Sequence, residues 1–262
     1  MDDHNQKPKK LQLTLVSGTD RGLVRNNNED ACLVIRLEKK DYWLAVLADG
    51  MGGHKKGDVA SRLAVNSVAE RLFRELAADD DGEAIKMKIV EAAERANVRV
   101  YLQSLSDESM QGMGTTLLTV VYHNNVMYIG HIGDCRAYLL RQMKHFYRIT
   151  TDHTYVQALV DSHRITEEEA LVHRDRHKLI RALGLPDYVS TDLYSQIVFP
   201  GDRWLFCSDG LHGYVSEFEI ARIVQESNSP DEAARALIDT ANHLGGNDNV
   251  TVIVGFVEEA KG

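Results

Sequence analysis

Apolar residues recur along this chain in two rhythms. Short blocks dense in Val, Ile, Leu and aromatics predict strands at Leu11 to Ser17, Ala31 to Leu37 and Tyr42 to Ala48. The spacing then turns helical. Ala60, Leu63, Ala64, Val68, Leu72 and Leu76 form one stripe over Asp58 to Leu76, and Ile85, Ile89, Ala92, Ala96 and Val100 form a second over Glu83 to Leu105. Between them, Asp79-Asp80-Asp81-Gly82 lacks the residue pattern of a calcium loop and reads as a solvated linker.

Strand-like blocks return at Thr115 to Tyr122, Val126 to Ile132, Arg136 to Leu140 and Phe146 to Thr150, and their order predicts an antiparallel meander. Asn124-Asn125 supplies a tight turn between the first two. Thr154 to Leu183 is polar and helical in pattern, an insertion expected to form a mobile subdomain. Further strands follow at Val189 to Phe199 and Arg203 to Cys207, then helices at Ser216 to Gln225 and Pro230 to Leu244, and a last strand at Val250 to Val257. This order lacks the alternation of a parallel doubly wound sheet. It predicts an α+β fold, two antiparallel sheets packed together and covered by helices on the outside. With no internal repeat and no linker rich in Pro or Ser, residues 1–262 are expected to form one domain.

Composition narrows the partners more than the fold. The 44% hydrophobic and 26% charged residues are ordinary for a globular chain. A net charge of −9 argues against nucleic acid or an anionic membrane as main partner. No apolar run approaches the roughly 20 residues of a membrane span, and Met1 to Lys10 is polar with no secretion signal. Cys32, Cys135 and Cys207 are scattered and odd in number, which suits reduced thiols and a cytoplasmic protein.

The chemistry lies in the placement of aspartates. Asp49 follows the strand Trp43 to Ala48, Asp209 follows Trp204 to Ser208, Asp248 opens the final strand, and Asp134 follows Gly133 at a turn between strands. Taken singly, such positions are ordinary turns. Four carboxylates at the mouths of buried strands repel one another unless a cation lies between them. An all-oxygen donor set favours Mg²⁺ or Mn²⁺ over Zn²⁺. Gly50 and Gly210, directly after two of these aspartates, leave room for a metal, a water or a backbone carbonyl. Upstream, Arg25 can fork onto phosphate oxygens, while Glu29 and Asp30 can reach metal-bound waters.

Rival chemistries fit less well. Gly52 to Gly57 has the glycine spacing of a phosphate loop, but Asp58-Val59 stands where Lys-Ser/Thr is required. His173 and His177 are spaced like zinc ligands on a helix, without a third nitrogen or sulfur ligand. His54, His131, His153 and His212 lie near the acidic motifs, within reach of a proton-transfer role or a purely structural one. Ser208 lacks the glycine-flanked pattern of a hydrolase nucleophile.

Seven ordered motifs, RNNNEDA (25–31), LADGMGGH (47–54), GTT (114–116), IGDCRAYLL (132–140), ITTDHT (149–154), FCSDGL (206–211) and NDNVTVIV (247–254), cover nearly the whole chain. Through them the sequence resembles the metal-dependent protein phosphatases of the protein phosphatase 2C type, in their bacterial serine/threonine branch. The resemblance implies a β-sandwich flanked by α-helices on both outer faces, in α-β-β-α layers, with a flap insertion at about 152–183. It implies two core Mn²⁺ or Mg²⁺ ions: Asp49 bridges them, the carbonyl of Gly50 binds one, and Asp209 and Asp248 complete the other. Asp134 matches a residue holding a third ion, Glu29 and Asp30 support the site through water, and Arg25 binds the substrate phosphate.

Met51 stands where some relatives carry a histidine proposed as general acid, so the proton donor must come from elsewhere. The implied partners are phosphorylated proteins and a cognate serine/threonine kinase. A noncatalytic regulatory module on the same fold would be favoured by loss of a metal aspartate, and none is missing. A phosphatase acting mainly on small phosphoesters remains open on sequence alone.

Overall fold

The computed structural model describes residues 11–52, 55–186 and 188–260. Two antiparallel sheets stack face to face. One contains β1 (Leu11–Asp20), β7 (Arg136–Arg141), β8 (His145–Arg148), β10 (Arg203–Cys207) and β11 (Val250–Glu259), in the order β1-β11-β10-β7-β8. The other runs β2-β3-β5-β6-β9, from β2 (Asp30–Leu37), β3 (Tyr42–Met51), β5 (Leu117–His123), β6 (Val126–Ile132) and β9 (Asp192–Ile197), with the short β4 (Gly114–Thr115) paired to the end of β3.

Strands buried on both faces explain why the apolar blocks read as continuous runs rather than alternating ones. In β3, Ala45 and Leu47 meet Leu118, Ile129, Trp204 and Phe206 between the sheets. Leu44, Val46 and Ala48 point the other way, into α1 (Lys55–Glu75) and α2 (Gly82–Leu105), where Ala60, Ala64, Val68, Leu72, Ile85 and Ile89 cover them. The opposite sheet repeats the arrangement. Leu205, Cys207, Val252 and Val254 face Ile220, Val224 and Leu237 of α6 (Glu217–Glu226) and α7 (Pro230–His243). The layers are therefore helix, sheet, sheet, helix, as expected.

Local chemistry fixes several boundaries. Asn124 and Asn125 both adopt positive φ, 48° and 61°, as a two-residue hairpin turn requires. Ser216 and Ser229 cap α6 and α7 through their side chains, and Pro230 opens α7. The acidic stretch before α2 is more than a solvated linker. Asp81 accepts from the Ala84 N–H as N-cap, and Asp80 binds Lys88 at 2.5 and 2.6 Å and the Ala77 N–H at 2.8 Å.

Two expectations are corrected. The strands from Thr115 to Thr150 do not form one meander: β6 pairs with β5 and β9, whereas β7 pairs with β8 and β10. Gly133, at φ +108°, turns the chain out of one sheet into the other. Thr154 to Leu183 carries only two short helices, α3 (Tyr155–Asp161) and α4 (Glu167–Val172), the second closed by a capping box between Thr166 and Glu169. The remainder is turn and coil, tied at its base by bridges between Thr154 and Leu179 and between Thr115 and Leu183.

Candidate metal centre

The site lies at one mouth of the sandwich, where both sheets end. Asp49 is near the end of β3 and stands opposite Asp30, the first residue of β2. Asp209 follows β10 and Asp248 precedes β11, antiparallel neighbours whose ends meet at this edge. Asp134 arrives on the crossover between the sheets. Asp209 begins the short helix α5 (Asp209–His212).

The strand ends are held by bonds that no local pattern announces. Asp49 donates its N–H to Thr116 Oγ1 (2.8 Å), and its carbonyl accepts from the Thr116 N–H (2.9 Å) and the Thr115 hydroxyl (2.8 Å). The two threonines of the GTT motif thus clamp Asp49 in place. Asn249 does the same for the Arg25–Asp30 loop: its Oδ1 accepts from Glu29 N–H, and its Nδ2 donates to the carbonyls of Arg21 and Asn27, each at 2.8 Å. Ser208 donates to Asp30 Oδ2 at 2.8 Å and accepts from the Thr251 N–H at 3.0 Å, so it is structural rather than nucleophilic.

The glycines after the aspartates serve a backbone approach. A Cβ on Gly50 would lie 2.0 Å from the carbonyl oxygen of Gly57, and one on Gly210 would lie 1.9 Å from that of Asn249. Gly50 therefore lets the first turn of α1 close on β3, with its own N–H bonded to the Glu29 carbonyl at 3.1 Å. The Glu29 carboxylate lies against this junction, where a Cβ on Gly57 would be 2.4 Å from its Oε2.

As an assembly of carboxylates, the mouth is strained electrostatically. Burial pushes the Asp49 carboxyl well above the usual range, and the charges of Asp30, Asp209, Asp134 and Asp248 push it further. Burial also raises Asp134, with Asp209 and Asp152 adding to the effect. Asp30 is raised by burial to about 7 despite hydrogen bonds from Thr251 and Ser208, and its Oδ1 has no hydrogen-bond partner. Asp248 is raised by burial and by Asp209. Burial works against Asp209 too, but the His177 hydrogen bond and other local interactions outweigh it and hold this carboxyl low.

Among the described residues, no three His, Cys, Asp or Glu side chains converge closely enough to grip an ion as they stand. Basic side chains attend the rim instead: Arg25 Nη2 pairs with Asp248 Oδ2 at 2.8 Å, and His177 Nδ1 approaches Asp209 Oδ2 at 3.5 Å. A divalent cation fits this set, since the donors are hard oxygens and their mutual repulsion is what a cation relieves.

The histidines separate cleanly. His173 and His177 do not share a helical face, because α4 ends at Val172. His131 is fully buried and pushed down to about 3 by burial. His212 is likewise pushed down to about 4 and donates from Nε2 to the Asp134 carbonyl at 2.9 Å. His153 accepts the Gly133 N–H on Nδ1 at 3.0 Å, which leaves Nε2 to donate to Asp192 at 3.1 Å. Both His153 and His212 thus steady the backbone that carries Asp134. His54 lies outside the described residues. Behind Asp134, Arg136 grips Asp152 with two-pronged bonds of 2.7 to 3.1 Å, a buried pair that joins the motifs at 132–140 and 149–154.

The profile of the family described as protein phosphatase 2C matches residues 18–251. The chain is 37% identical over 238 residues to the serine/threonine phosphatase stp of Listeria monocytogenes, covering 90% of this chain and 92% of that one. It is 40% identical to the serine/threonine protein phosphatase PstP of Mycobacterium tuberculosis over 94% of its own length, and spans 45% of PstP. The catalytic domain of PstP in complex with two manganese ions superposes with a TM-score of 0.82 at 39% identity, over 95% of this chain and all of that domain. The serine/threonine phosphatase of S. agalactiae superposes with a TM-score of 0.87 at 32% identity, over 95% and 100% of the two chains.

Proposed function

This chain belongs to the protein phosphatase 2C family, and we propose that its cluster of strand-end aspartates is the dinuclear Mn²⁺ or Mg²⁺ centre of a serine/threonine protein phosphatase. The observation that carries this reading is the convergence at one edge of the sandwich of Asp49, opposite Asp30, with Asp134, Asp209 and Asp248, whose mutual repulsion a divalent cation would relieve. Asp49 would bridge two ions, the Gly50 carbonyl and Asp209 and Asp248 would complete their protein ligands, and Glu29 and Asp30 would act through water. Asp134 would hold a third ion. The two manganese ions of the PstP catalytic domain support the same stoichiometry here.

When bound, such ions supply an activated water and offset charge on the phosphoryl group. The chain supplies the rest. Thr115 and Thr116 hold Asp49, and Asn249 holds the loop that presents Arg25. Arg25, half exposed and resting on Asp248, is placed at the rim to take phosphate oxygens. Asp134 lines the cavity that opens from the cluster, and the ion it would hold could supply the leaving group's proton through a bound water.

The substrates are phosphorylated proteins, and the counterpart enzyme would be a serine/threonine kinase in the same cytoplasm. No described helix is long and apolar enough to cross a membrane. Residues 1–262 would act as one domain, with 152–183 as its flap. The deciding experiment compares hydrolysis of phosphoserine and phosphothreonine peptides with that of small phosphoesters, in Mn²⁺ and after chelation. Peptide turnover that depends on Mn²⁺ is expected; turnover that survives complete chelation would remove the metal centre, and turnover of small esters alone would remove the protein substrate.

Arg25→Ala separates phosphate binding from metal binding. The expected result is a raised KM for phosphopeptide with metal affinity almost unchanged, since the guanidinium meets substrate rather than metal. Calorimetry showing lost metal binding alongside a constant KM would reassign Arg25 to holding Asp248.

A further inference from the structure

We propose that the cavity beside the carboxylate cluster is a subsite for an acidic side chain of the substrate, adjacent to the phosphoresidue; this rests on the phosphatase reading above. The cavity measures about 550 Å³, within the ~300–1,000 Å³ of typical binding pockets. Asp134 and Asp209 form one end, so it opens directly from the proposed hydrolytic centre. Val156, Val160 and Leu171 from the segment over the site, with Val215 beneath, give it an apolar wall.

Its arginines are unevenly engaged. Arg136 is committed to Asp152 and reaches Glu217 at 3.4 Å, and His177 attends Asp209. Arg148 and Arg176 also line the cavity, and neither has an ion pair among the described residues. Apart from Asp134 and Asp209, Glu167 is the one lining acid without a cation among the described residues. Apart from Asp134 and Asp209, the lining balances three arginines against three acids, Asp152, Glu167 and Glu217. Arg148 and Arg176 are the arginines without an ion pair among the described residues, in a protein whose net charge is −9. An acidic residue beside the phosphate would be repelled by that net charge and by the aspartate cluster. Arg148 and Arg176 are the groups that make it welcome, and the apolar wall takes the stem of the side chain.

The two arginines come from different parts of the fold. Arg148 is the last residue of β8, on the sheet. Arg176 belongs to the segment after α4, which is tied down by Tyr155 N–H on the Lys178 carbonyl (2.8 Å) and Ile180 N–H on the His153 carbonyl (2.9 Å). The subsite is therefore assembled by the segment over the site packing against the sheet, which couples peptide choice to that segment's position.

The test measures kcat/KM in saturating Mn²⁺ on phosphothreonine peptides that differ only by Glu or Gln next to the phosphoresidue, on either side in turn. Wild type is expected to prefer one Glu peptide by roughly fivefold, the worth of a partly exposed ion pair. Arg148→Gln with Arg176→Gln is expected to bring the ratio to about one, and Arg176→Glu to turn the preference toward a Lys peptide. A wild-type ratio of one at both positions, or a Glu preference that survives the double substitution, overturns the subsite. Hydrolysis of para-nitrophenyl phosphate by wild type separates the two levels. If it proceeds while the peptide ratio is one, only the subsite falls; if no ester is hydrolysed, the phosphatase reading falls and the subsite with it.

Discussion

Replacing Asp209 or Asp248 by asparagine is expected to lower turnover by more than about a hundredfold while leaving the fold intact. Residues that merely support a metal's ligands typically cost about 10–100-fold when changed, and a ligand should exceed that, because a neutral amide binds a hard divalent cation poorly. The fold survives because neither side chain is part of the packing between the sheets. Asp248 meets Arg25 at the surface, where an ion pair with a half-exposed partner contributes little. Asp209 takes its support from His177 at the rim, while the strand behind it is anchored by Phe206 and Cys207 in the core. Turnover, metal titration and thermal melting on the same samples check the prediction. Near-wild-type turnover in both variants at saturating Mn²⁺ sinks the assignment, and melting lowered as far as a core deletion would mean that the aspartates are structural.

The second large effect is expected at Asp134, and it depends on the substrate. Asp134→Ala leaves Asp49, Asp209 and Asp248 in place, so calorimetry should still show the two core ions binding. Turnover of a phosphopeptide should nevertheless fall by about 10²–10⁴-fold, the usual contribution of a positioned acid or base. The alkoxide of serine or threonine needs a proton as it leaves, and Met51 has none to give. The third ion that Asp134 would hold, or its water, would meet that need: Asp134 is 7% exposed and lines the cavity at the mouth. Neighbouring His212 is pushed down to about 4 and spends its Nε2 proton on the Asp134 carbonyl, which leaves it a poor donor near neutral pH. An aryl phosphate with an acidic leaving group needs less help, so its kcat should fall far less. Equal losses on both substrates would count against proton delivery, and no loss on either would reduce Asp134 to a turn residue.

The behaviour of Asp209 and Arg25 shows where motif reading stops. Asp209 was singled out by its strand-end position, and Arg25 by its place in the RNNNEDA motif. Their partners were not, because His177 and Asp248 come from distant chain segments and meet them only after both sheets have formed. The same holds for the cavity arginines that have no ion pair among the described residues. Arg148 and Arg176 belong to no motif, and nothing local distinguishes an unpaired arginine from a paired one.

The amino-acid sequence by itself determined element type almost everywhere, because burial on one helical stripe or on both strand faces leaves a local periodicity. It set the Asn124-Asn125 turn through residues that tolerate positive φ. The ordered aspartate motifs were enough to indicate the family and the metal chemistry. Only the tertiary structure decided which strands pair across long separations: β7 left its chain neighbour β6 for β10, and the residue that allows this, Gly133, reads in sequence as one more turn glycine. It also decided what holds the site. Thr116 grips Asp49 from 67 positions away, and Asn249 grips Asn27 from 222, distances at which no periodicity carries information. Side-chain periods report which face an element buries, whereas hydrogen-bond partners depend on how the buried faces are stacked, and that is settled only when the whole chain packs.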